Sequence, residues 1–344
     1  MKIKNLTLFG AALVWISGQA AALEPLPKQP PVPDDNPITE AKVELGKMLY
    51  FDPRLSSDGT VSCNSCHNVM TNGTDNRPVS AGVKGQRGPR SAPTVFNAAF
   101  MSAQFWDGRA PSLEAQAKGP MTNPVEMGMP NHSAVVKRLK EIPGYSERFK
   151  QVFGGDDPVT VDNAVKAIAT YERTLITPNS PFDQYQRGDK QAMSKAAQRG
   201  MELVQDVGCT SCHNGPNFSG PLSLPQGQAF LQKFPTYSNN EYVKKYHLME
   251  DKGHFEATGK DSDKHMWKVP TWRNVALTAP YFHNGSVKTL DEAVRVMAKT
   301  QLNKDLSDQQ VNDIVAFLES LTGTIPEQTM PRLPNTHGVA LLKK

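Results

Sequence analysis

The sequence feature that most restricts this chain is the pattern Cys-x-x-Cys-His, which occurs twice. The two copies account for all four cysteines of the chain. Two cysteines at this spacing can form thioethers with the two vinyl groups of one porphyrin, and the adjacent histidine can bind its iron. The sequence therefore predicts two covalently attached c-type haems. Their attachment points and proximal ligands are Cys63, Cys66, His67, Cys209, Cys212 and His213.

Two other uses of four cysteines explain less of this pattern. A zinc site would need the two copies to come together across the long segment that separates them, and it would leave both histidines unexplained. A pair of thiol-redox sites would also leave the histidines unexplained, and the βαβ pattern of a thioredoxin-like fold is missing. The haem interpretation is therefore favoured over both.

The first 22 residues have the composition of an export signal. Lys2 and Lys4 precede an apolar run that ends in small residues at Ala20–Ala22, and this run is too short to cross a bilayer. No later segment has the roughly 18 uninterrupted apolar residues that a membrane helix needs. We therefore expect a signal peptide at residues 1–22, export to the periplasm and no membrane span.

Charge argues against nucleic acid as a partner. The chain has 38 lysines and arginines against 34 aspartates and glutamates, and two of the lysines fall in the predicted signal peptide. Nucleic-acid binding needs a concentrated basic face, which this nearly neutral balance does not supply. Near-neutrality also gives little long-range steering, so a partner protein would have to recognise a local patch.

The repeat of the haem motif also divides the chain. Residues 23–37 are rich in proline and predict an extended arm on the surface. An N-terminal haem domain is expected over residues 38–178, a C-terminal haem domain over residues 179–325, and a tail over residues 326–344. Strand-like alternation is scarce. The predicted fold is therefore mainly α, with two cytochrome c-like haem domains and long loops.

Three helices can be predicted from local signals. Apolar residues recur at helical spacing after Thr160, up to about residue 176. A second helix over residues 192–205 leads into the second haem motif. A third follows a capping box at Ser307–Gln310, and Gly323 lies beyond its end.

Five longer stretches of the chain resemble the bacterial di-haem cytochrome c peroxidases. They cover residues 92–120, 123–128, 169–183, 273–285 and 290–297, and include NPVEMG and RNVALTAPYFHNG. The resemblance spans nearly the whole chain beyond the predicted signal peptide. It implies a homodimer that reduces hydrogen peroxide to water. The electrons would come from a small cytochrome c or a cupredoxin, enter at the C-terminal haem and pass to the N-terminal haem.

Two haems with different ligands can divide the work of peroxide reduction, because an iron with two protein ligands passes electrons but cannot bind peroxide, which needs an open position. For the second haem, the resemblance implies Met297 as the distal ligand, with Met266 as the fallback. A thioether ligand favours reduced iron and raises its potential. Without the resemblance, either methionine would be explained more simply by packing in an apolar core.

For the first haem, the resemblance implies Glu126 as the acid–base residue over the peroxide pocket and Gln116 as the amide beside it. Burial in an apolar pocket raises the pKa of a carboxyl group, which suits it to carry a proton at neutral pH. A lone glutamate in a loop is otherwise most simply a solvated charge. Trp106 matches the tryptophan between the haems, where an indole either shortens the electron path or packs between domains.

The resemblance also implies an interdomain calcium ion, held by the carbonyl oxygens of Thr278 and Pro280. The family's third ligand is a side-chain amide, and the matching position here is Ser91, whose hydroxyl is a poorer ligand for a hard cation. We expect calcium to be retained with more water around it. His283 is expected to be a hydrogen-bonded structural group near the domain interface, and not an iron ligand.

The loop after the first haem motif departs from the family pattern. In many members a histidine of this loop caps the oxidised first haem, but the matching residue here is Val83, which has no donor atom. Lys84 is adjacent, but an ammonium group must lose its proton before it can bind iron. We therefore expect a first haem that is open even when oxidised. A different, unidentified ligand is the alternative.

Two other functions are compatible with two haems. A di-haem electron carrier would have no acid–base residue near the first iron. A protein-oxidising relative of the tryptophylquinone-forming type would share an open first haem, but it has a tyrosine where Met297 stands. The methionine therefore argues against the protein-oxidising type.

Overall fold

The computed structural model describes residues 23–336 and residue 341, so the predicted signal peptide and part of the predicted tail lie outside the described residues. The fold is mainly helical with long loops, which confirms the predicted class. The first half of the chain contains the helices α1 (Glu40–Phe51), α2 (Cys63–Cys66), α3 (Leu113–Thr122), α4 (His132–Lys140), α5 (Pro143–Phe153) and α6 (Val161–Glu172).

The second half contains another set of helices and one small antiparallel pair of strands. The strands are β1 (Leu231–Lys233) and β2 (Met266–Lys268), with Gln232 opposite Trp267. The helices are α7 (Pro181–Gln186), α8 (Lys195–Asp206), α9 (Glu241–Lys245), α10 (Phe255–Thr258), α11 (Leu290–Leu302) and α12 (Asp308–Glu319). Short 3₁₀ helices lie at Pro53–Leu55, Val83–Gly85, Ala98–Phe100, Cys209–Ser211, Asp261–Asp263 and Val275–Leu277.

Each half is built around one crossing of two helices. In the first half α1 packs on α6, and a Cβ atom added at Gly46 would overlap the carbonyl oxygen of Ala167. In the second half α8 packs on α12, and a Cβ atom at Gly200 would overlap the carbonyl oxygen of Asp313. Glycine therefore lets the two backbones touch at both crossings. In each half the first helix of the pair precedes a haem motif.

The core divides in the same way. One apolar cluster surrounds the crossing of α1 and α6, with Leu49, Phe149 and Ile168 among its buried members. A second cluster surrounds the crossing of α8 and α12, with Phe218 and Phe317 buried in it. In the described part of the chain, no helix is both long and apolar enough to span a membrane.

All three predicted helices are present, and two of them start where the sequence predicts, but two boundaries differ from the prediction. The capping box is present, since Ser307 Oγ accepts from the N–H of Gln310 and Gln310 Oε1 accepts from the N–H of Ser307. Helix α6 is capped by Thr160 but ends at Glu172, earlier than predicted. Beyond Glu172 the helical hydrogen bonds are replaced by tighter ones, since the N–H groups of Thr174 and Leu175 donate to the carbonyls of Tyr171 and Glu172. Helix α8 starts at Lys195 rather than at residue 192.

The proline-rich arm and the tail connect the two halves. Leu26 in the arm is fully buried, and its N–H donates to Asp183 Oδ1 in α7 at 2.9 Å. Farther along the arm, Asn36 is fully buried and its amide donates to Glu114 Oε1 in α3 at 2.7 Å. The arm is therefore anchored by buried side chains near both of its ends. The tail returns to the first half, where the Tyr171 hydroxyl donates to Gln328 Oε1.

Candidate functional site

The first haem motif lies on a single helical turn, α2, and its histidine is held from two sides. The carbonyl of His67 accepts from the Tyr50 hydroxyl at 2.8 Å. Its ring Nδ1 lies 2.8 Å from the carbonyl oxygen of Pro93, so Nδ1 carries the proton and donates it. This leaves Nε2 with its lone pair available, which is the arrangement of a metal-binding histidine.

The second haem motif follows α8 directly and repeats this arrangement. Nδ1 of His213 lies 3.0 Å from the carbonyl oxygen of Phe218, so Nε2 again has a free lone pair. The ring of His213 stacks on Trp272, with centroids 4.4 Å apart. Burial lowers the pKa of His213 to about 4 and lowers the pKa of His67 from its usual range. Both imidazoles are therefore neutral at pH 7, as metal ligation requires.

Each motif opens into a cavity of its own. We call the cavity lined by Cys63, Cys66 and His67 the first cavity. The cavity lined by Cys209, Cys212 and His213 is the second cavity. All four thiols are free of disulfides. In each cavity, two free thiols lie beside a neutral imidazole whose Nε2 has a free lone pair, and the wall is largely apolar. This arrangement fits a covalently attached haem.

The two candidate methionines differ in position. Met297 lies on α11 and lines the second cavity. Met266 lies at the start of β2 and does not line that cavity. The second cavity therefore brings Met297, and not the fallback methionine, together with His213.

Glu126 and Gln116 both line the first cavity with the haem motif. Gln116 is on α3, and Glu126 follows on the turn after that helix. Burial raises the pKa of Glu126, while Arg109 and a hydrogen bond from the Asn123 amide at 2.9 Å oppose the increase. A raised pKa brings this carboxyl group closer to neutral pH than a solvated glutamate, which favours a role in proton transfer.

The loop with Val83 turns this side chain away from the cavity. Val83 is 2% exposed and belongs to the apolar core of the first half. Its N–H donates to the carbonyl of Glu126 at 2.8 Å, and Gly82 lies against the backbone of residues 125–126. Lys84 is exposed at φ 57°, with its N–H donating to Asp58 Oδ2. Neither Val83 nor Lys84 lines the first cavity.

Trp106 lies between the two cavities and lines both. Its indole N–H donates to the carbonyl oxygen of Ser91 at 2.9 Å, and its own carbonyl accepts from the N–H of Lys268 at 2.9 Å. These two bonds connect it to Ser91 in the first half and to β2 in the second half. The position is compatible with an electron path and equally with packing between the halves.

The predicted calcium ligands Ser91, Thr278 and Pro280 all line the second cavity. Ser91 Oγ already donates to the carbonyl of Arg77, at 3.4 Å.

His283, expected to be a hydrogen-bonded structural group, is 3% exposed and lines both cavities. Its Nε2 has no hydrogen-bond partner among the described residues, so that expectation is wrong for this atom. Stacking on Trp267, with centroids 4.2 Å apart, holds the ring instead.

Sequence reasoning missed several residues of the first cavity. Arg109 and Glu172 line it, and Glu172 is a buried carboxyl group at the end of α6. Residues His247 and Asp251, from the long segment between α8 and α11, line it as well. The Asn123-x-x-Glu126 spacing is a turn signal that could have identified the hydrogen bond to Glu126. No local signal places the segment around His247 next to the first haem motif.

Comparisons with known proteins agree with this geometry. A family model for di-haem cytochrome c peroxidases matches residues 40–191. The chain is 43% identical to the cytochrome c551 peroxidase of Nitrosomonas europaea over 334 residues, covering 97% of this chain and 95% of that protein. It is 47% identical to the cytochrome c551 peroxidase of Pseudomonas aeruginosa over 321 residues, covering 92% and 89%.

A solved structure supports the same relationship. A MauG-like protein associated with microbial copper homeostasis matches with a TM-score of 0.75 and 30% identity, covering 87% of this chain and 95% of that one. The fold and the paired haem motifs define a haem-dependent oxidoreductase with two cytochrome c-like domains. The chain belongs to the di-haem cytochrome c peroxidase family.

Proposed function

We propose that this chain reduces hydrogen peroxide to water at the first cavity, with electrons that enter at the second. The observation that carries the proposal is the meeting of His67, Glu126 and Gln116 in one cavity, together with the raised pKa of Glu126. An electron carrier has no need of a carboxyl group with a raised pKa beside its iron.

The first haem would be held by Cys63, Cys66 and His67. When bound, it would supply an iron that accepts electrons and passes two of them to peroxide as the O–O bond breaks. Glu126 takes the proton from the nearer peroxide oxygen and returns it to the farther one, which becomes the leaving water. The Gln116 amide orients the peroxide by hydrogen bonding. Arg109 holds a positive charge near Glu126, which keeps the pKa of this carboxyl group from rising further.

The second haem would be held by Cys209, Cys212, His213 and Met297. Two protein ligands would leave no position for peroxide, so the chemistry that this haem would supply is electron transfer. We propose that a small cytochrome c or a cupredoxin supplies these electrons one at a time. Trp106 lies between the two cavities, and we propose that its indole shortens the path from one to the other.

We further propose that the first site is open before any electron arrives. The burial of Val83 and the hydrogen bond from its N–H to the carbonyl of Glu126 support this, because neither Val83 nor Lys84 lines the first cavity. Electron paramagnetic resonance of the fully oxidised protein at neutral pH tests it. A high-spin first haem is expected, whereas low-spin signals from both haems would contradict an open site.

Other features of the proposal rest on the family resemblance. They are a homodimer and an interdomain calcium ion at Ser91, Thr278 and Pro280, whereas export to the periplasm rests on the signal-peptide composition of residues 1–22. A weak hydrogen bond ties Ser91 Oγ to Arg77, so this hydroxyl could turn toward a cation at small cost.

A steady-state assay of peroxide reduction by reduced cytochrome c tests the main proposal. Glu126→Gln removes the proton-transferring group and should lower kcat about 10²- to 10⁴-fold. Glu44→Gln makes the same change at an exposed position on α1 and should have no effect. A carrier would show little turnover in the wild type and no effect of Glu126→Gln. A protein-oxidising enzyme would oxidise residues of a protein substrate with peroxide while oxidising cytochrome c slowly.

A further inference from the structure

Lys268 is a buried lysine in the wall of the second cavity. It is the last residue of β2, and its N–H donates to the carbonyl of Trp106, which fixes the backbone there. The side chain is 8% exposed, so its ammonium group has little access to water. Buried lysines are rare unless they are paired with an anion.

This ammonium group has no anionic partner among the described residues. Its nearest polar contact is Met101 Sδ at 3.1 Å, and a thioether is only a weak acceptor. Asp107 contributes favourable charge, but its carboxylate is already bound by Arg90 at 2.5 Å and by Arg109 at 2.8 Å. Burial lowers the pKa of Lys268 to about 8, so the group is still mostly protonated at pH 7.

An unpaired buried cation is costly and calls for a carboxylate or similar anion from outside the chain. The rest of the second cavity is lined largely by apolar and aromatic side chains, with neutral amides at Gln104, Gln232 and Gln301. A haem carries two propionate carboxylates. It is therefore a ligand that can fill an apolar cavity and also supply the missing negative charge.

We propose that Lys268 binds a propionate of the haem in the second cavity and raises the reduction potential of that haem. This inference rests on the proposed function, because it assumes a haem attached at Cys209 and Cys212. The positive charge disfavours oxidised iron, and it is weakly screened because the site is buried.

The test is the midpoint potential of the second haem, measured by spectroelectrochemical titration. Lys268→Met removes the charge and keeps much of the volume, and it should lower the equilibrium constant for reduction about tenfold, or 59 mV for one electron. Lys268→Gln should give a shift in the same direction, which covers the case in which the methionine variant fails to fold. Lys268→Arg retains the cation and should restore most of the potential.

Lys304→Met is the matched control. Lys304 also lies near the second haem motif, where its ammonium donates to the carbonyl of Val207, but its side chain is exposed. Water screens an exposed charge, so this variant should shift the potential much less. Equal shifts for Lys268→Met and Lys304→Met would overturn the proposal, because they would show no special contact at Lys268.

Failure of this inference can be told apart from failure of the proposed function. Intact mass and the haem spectrum first establish whether Cys209 and Cys212 carry a haem in the wild type. Absence of that haem would contradict the proposed function itself. An attached second haem whose potential does not change in Lys268→Met or Lys268→Gln would overturn only the role of Lys268.

Discussion

The side-chain amide of Asn123 donates a 2.9 Å hydrogen bond to Oε1 of Glu126. Both residues belong to the turn that ends α3, where the N–H of Glu126 also donates to the carbonyl of Asn123. The same turn therefore fixes the direction of the carboxyl group and stabilises its charged form. The pKa of Glu126 reflects a balance in which burial raises it, and Arg109 and Asn123 lower it.

Asn123→Ala should raise the pKa of Glu126 further, because it removes a hydrogen bond that favours the carboxylate. A hydrogen bond to a charged group contributes about 1.5 kcal/mol, which corresponds to about one pKa unit. If Glu126 accepts a proton from peroxide, the acid limb of the pH profile of kcat/KM should move up by about that amount. Asn131→Ala, which removes the cap of α4, should leave the profile in place. A profile that does not move in Asn123→Ala would argue against Glu126 as the titrating group.

Val83→Ala should destabilise the protein without changing the ligands of the first haem. Val83 packs in the core of the first half, so its truncation should lower the free energy of unfolding by about 1–3 kcal/mol. The electron paramagnetic resonance spectrum of the oxidised protein should stay the same, since the side chain is directed into the core. Val32→Ala makes the same truncation at a position that is 44% exposed and should change stability by less than about 0.5 kcal/mol. A spectral change in Val83→Ala would show that the loop reaches the first haem after all.

Gly46→Ala and Gly200→Ala should each disrupt the helix crossing of one half. In both variants the added methyl group overlaps a carbonyl oxygen of the facing helix, so the helices must separate. Overpacking of this kind costs about 1–3 kcal/mol or more. Urea unfolding followed by circular dichroism measures the loss. Gly88→Ala is the control, because its methyl group would meet Val125 only at 3.9 Å. Unchanged stability in Gly46→Ala or Gly200→Ala would show that the crossing can adjust.

The parts of this structure that follow from short-range signals could be predicted from the sequence. Ser307 and Gln310 start α12 because two side chains three residues apart can satisfy each other's backbone N–H groups. The haem motifs are equally local, since the attachment chemistry fixes the spacing of the thiols and the histidine. The resemblance added Glu126 and Met297, which the structure places in the first and second cavities.

The remaining features depend on contacts between distant segments, which no local pattern encodes. The direction of the Val83 side chain is set by the contact of its backbone with the turn around Glu126. Lys268 lacks an anionic partner because two arginines already bind the carboxylate of Asp107, and only the folded structure shows this. The orphaned Nε2 of His283 and the approach of His247 to the first cavity are of the same kind. Such features depend on which side chains are available to fill a given space.

The buried carboxyl group of Glu172 should make a pH-dependent contribution to the free energy of unfolding, and a single substitution should remove this contribution. Its side chain is 6% exposed, and Oε2 has no hydrogen-bond partner among the described residues. The charged groups nearest to it are Arg173, which lowers its pKa, and Glu114, which raises it, while Tyr50 and Cys63 face it from α1 and α2. Burial dominates and raises the pKa of Glu172 from 4.5 to about 8.

The sign of the pH effect follows from this increase. Between pH 4.5 and 8 the folded state keeps a proton on Glu172 that the unfolded state has lost, so stability falls as the pH rises through this window. Each pH unit costs about 1.4 kcal/mol at most. Glu172→Gln cannot ionise, so its stability relative to the wild type should improve steadily from pH 5 to pH 8 in urea unfolding. Glu319→Gln, at an exposed position on α12, should follow the wild type at every pH. Parallel curves for Glu172→Gln and the wild type would mean that Glu172 is ionised in the folded protein, and that a nearby cation or water stabilises its charge.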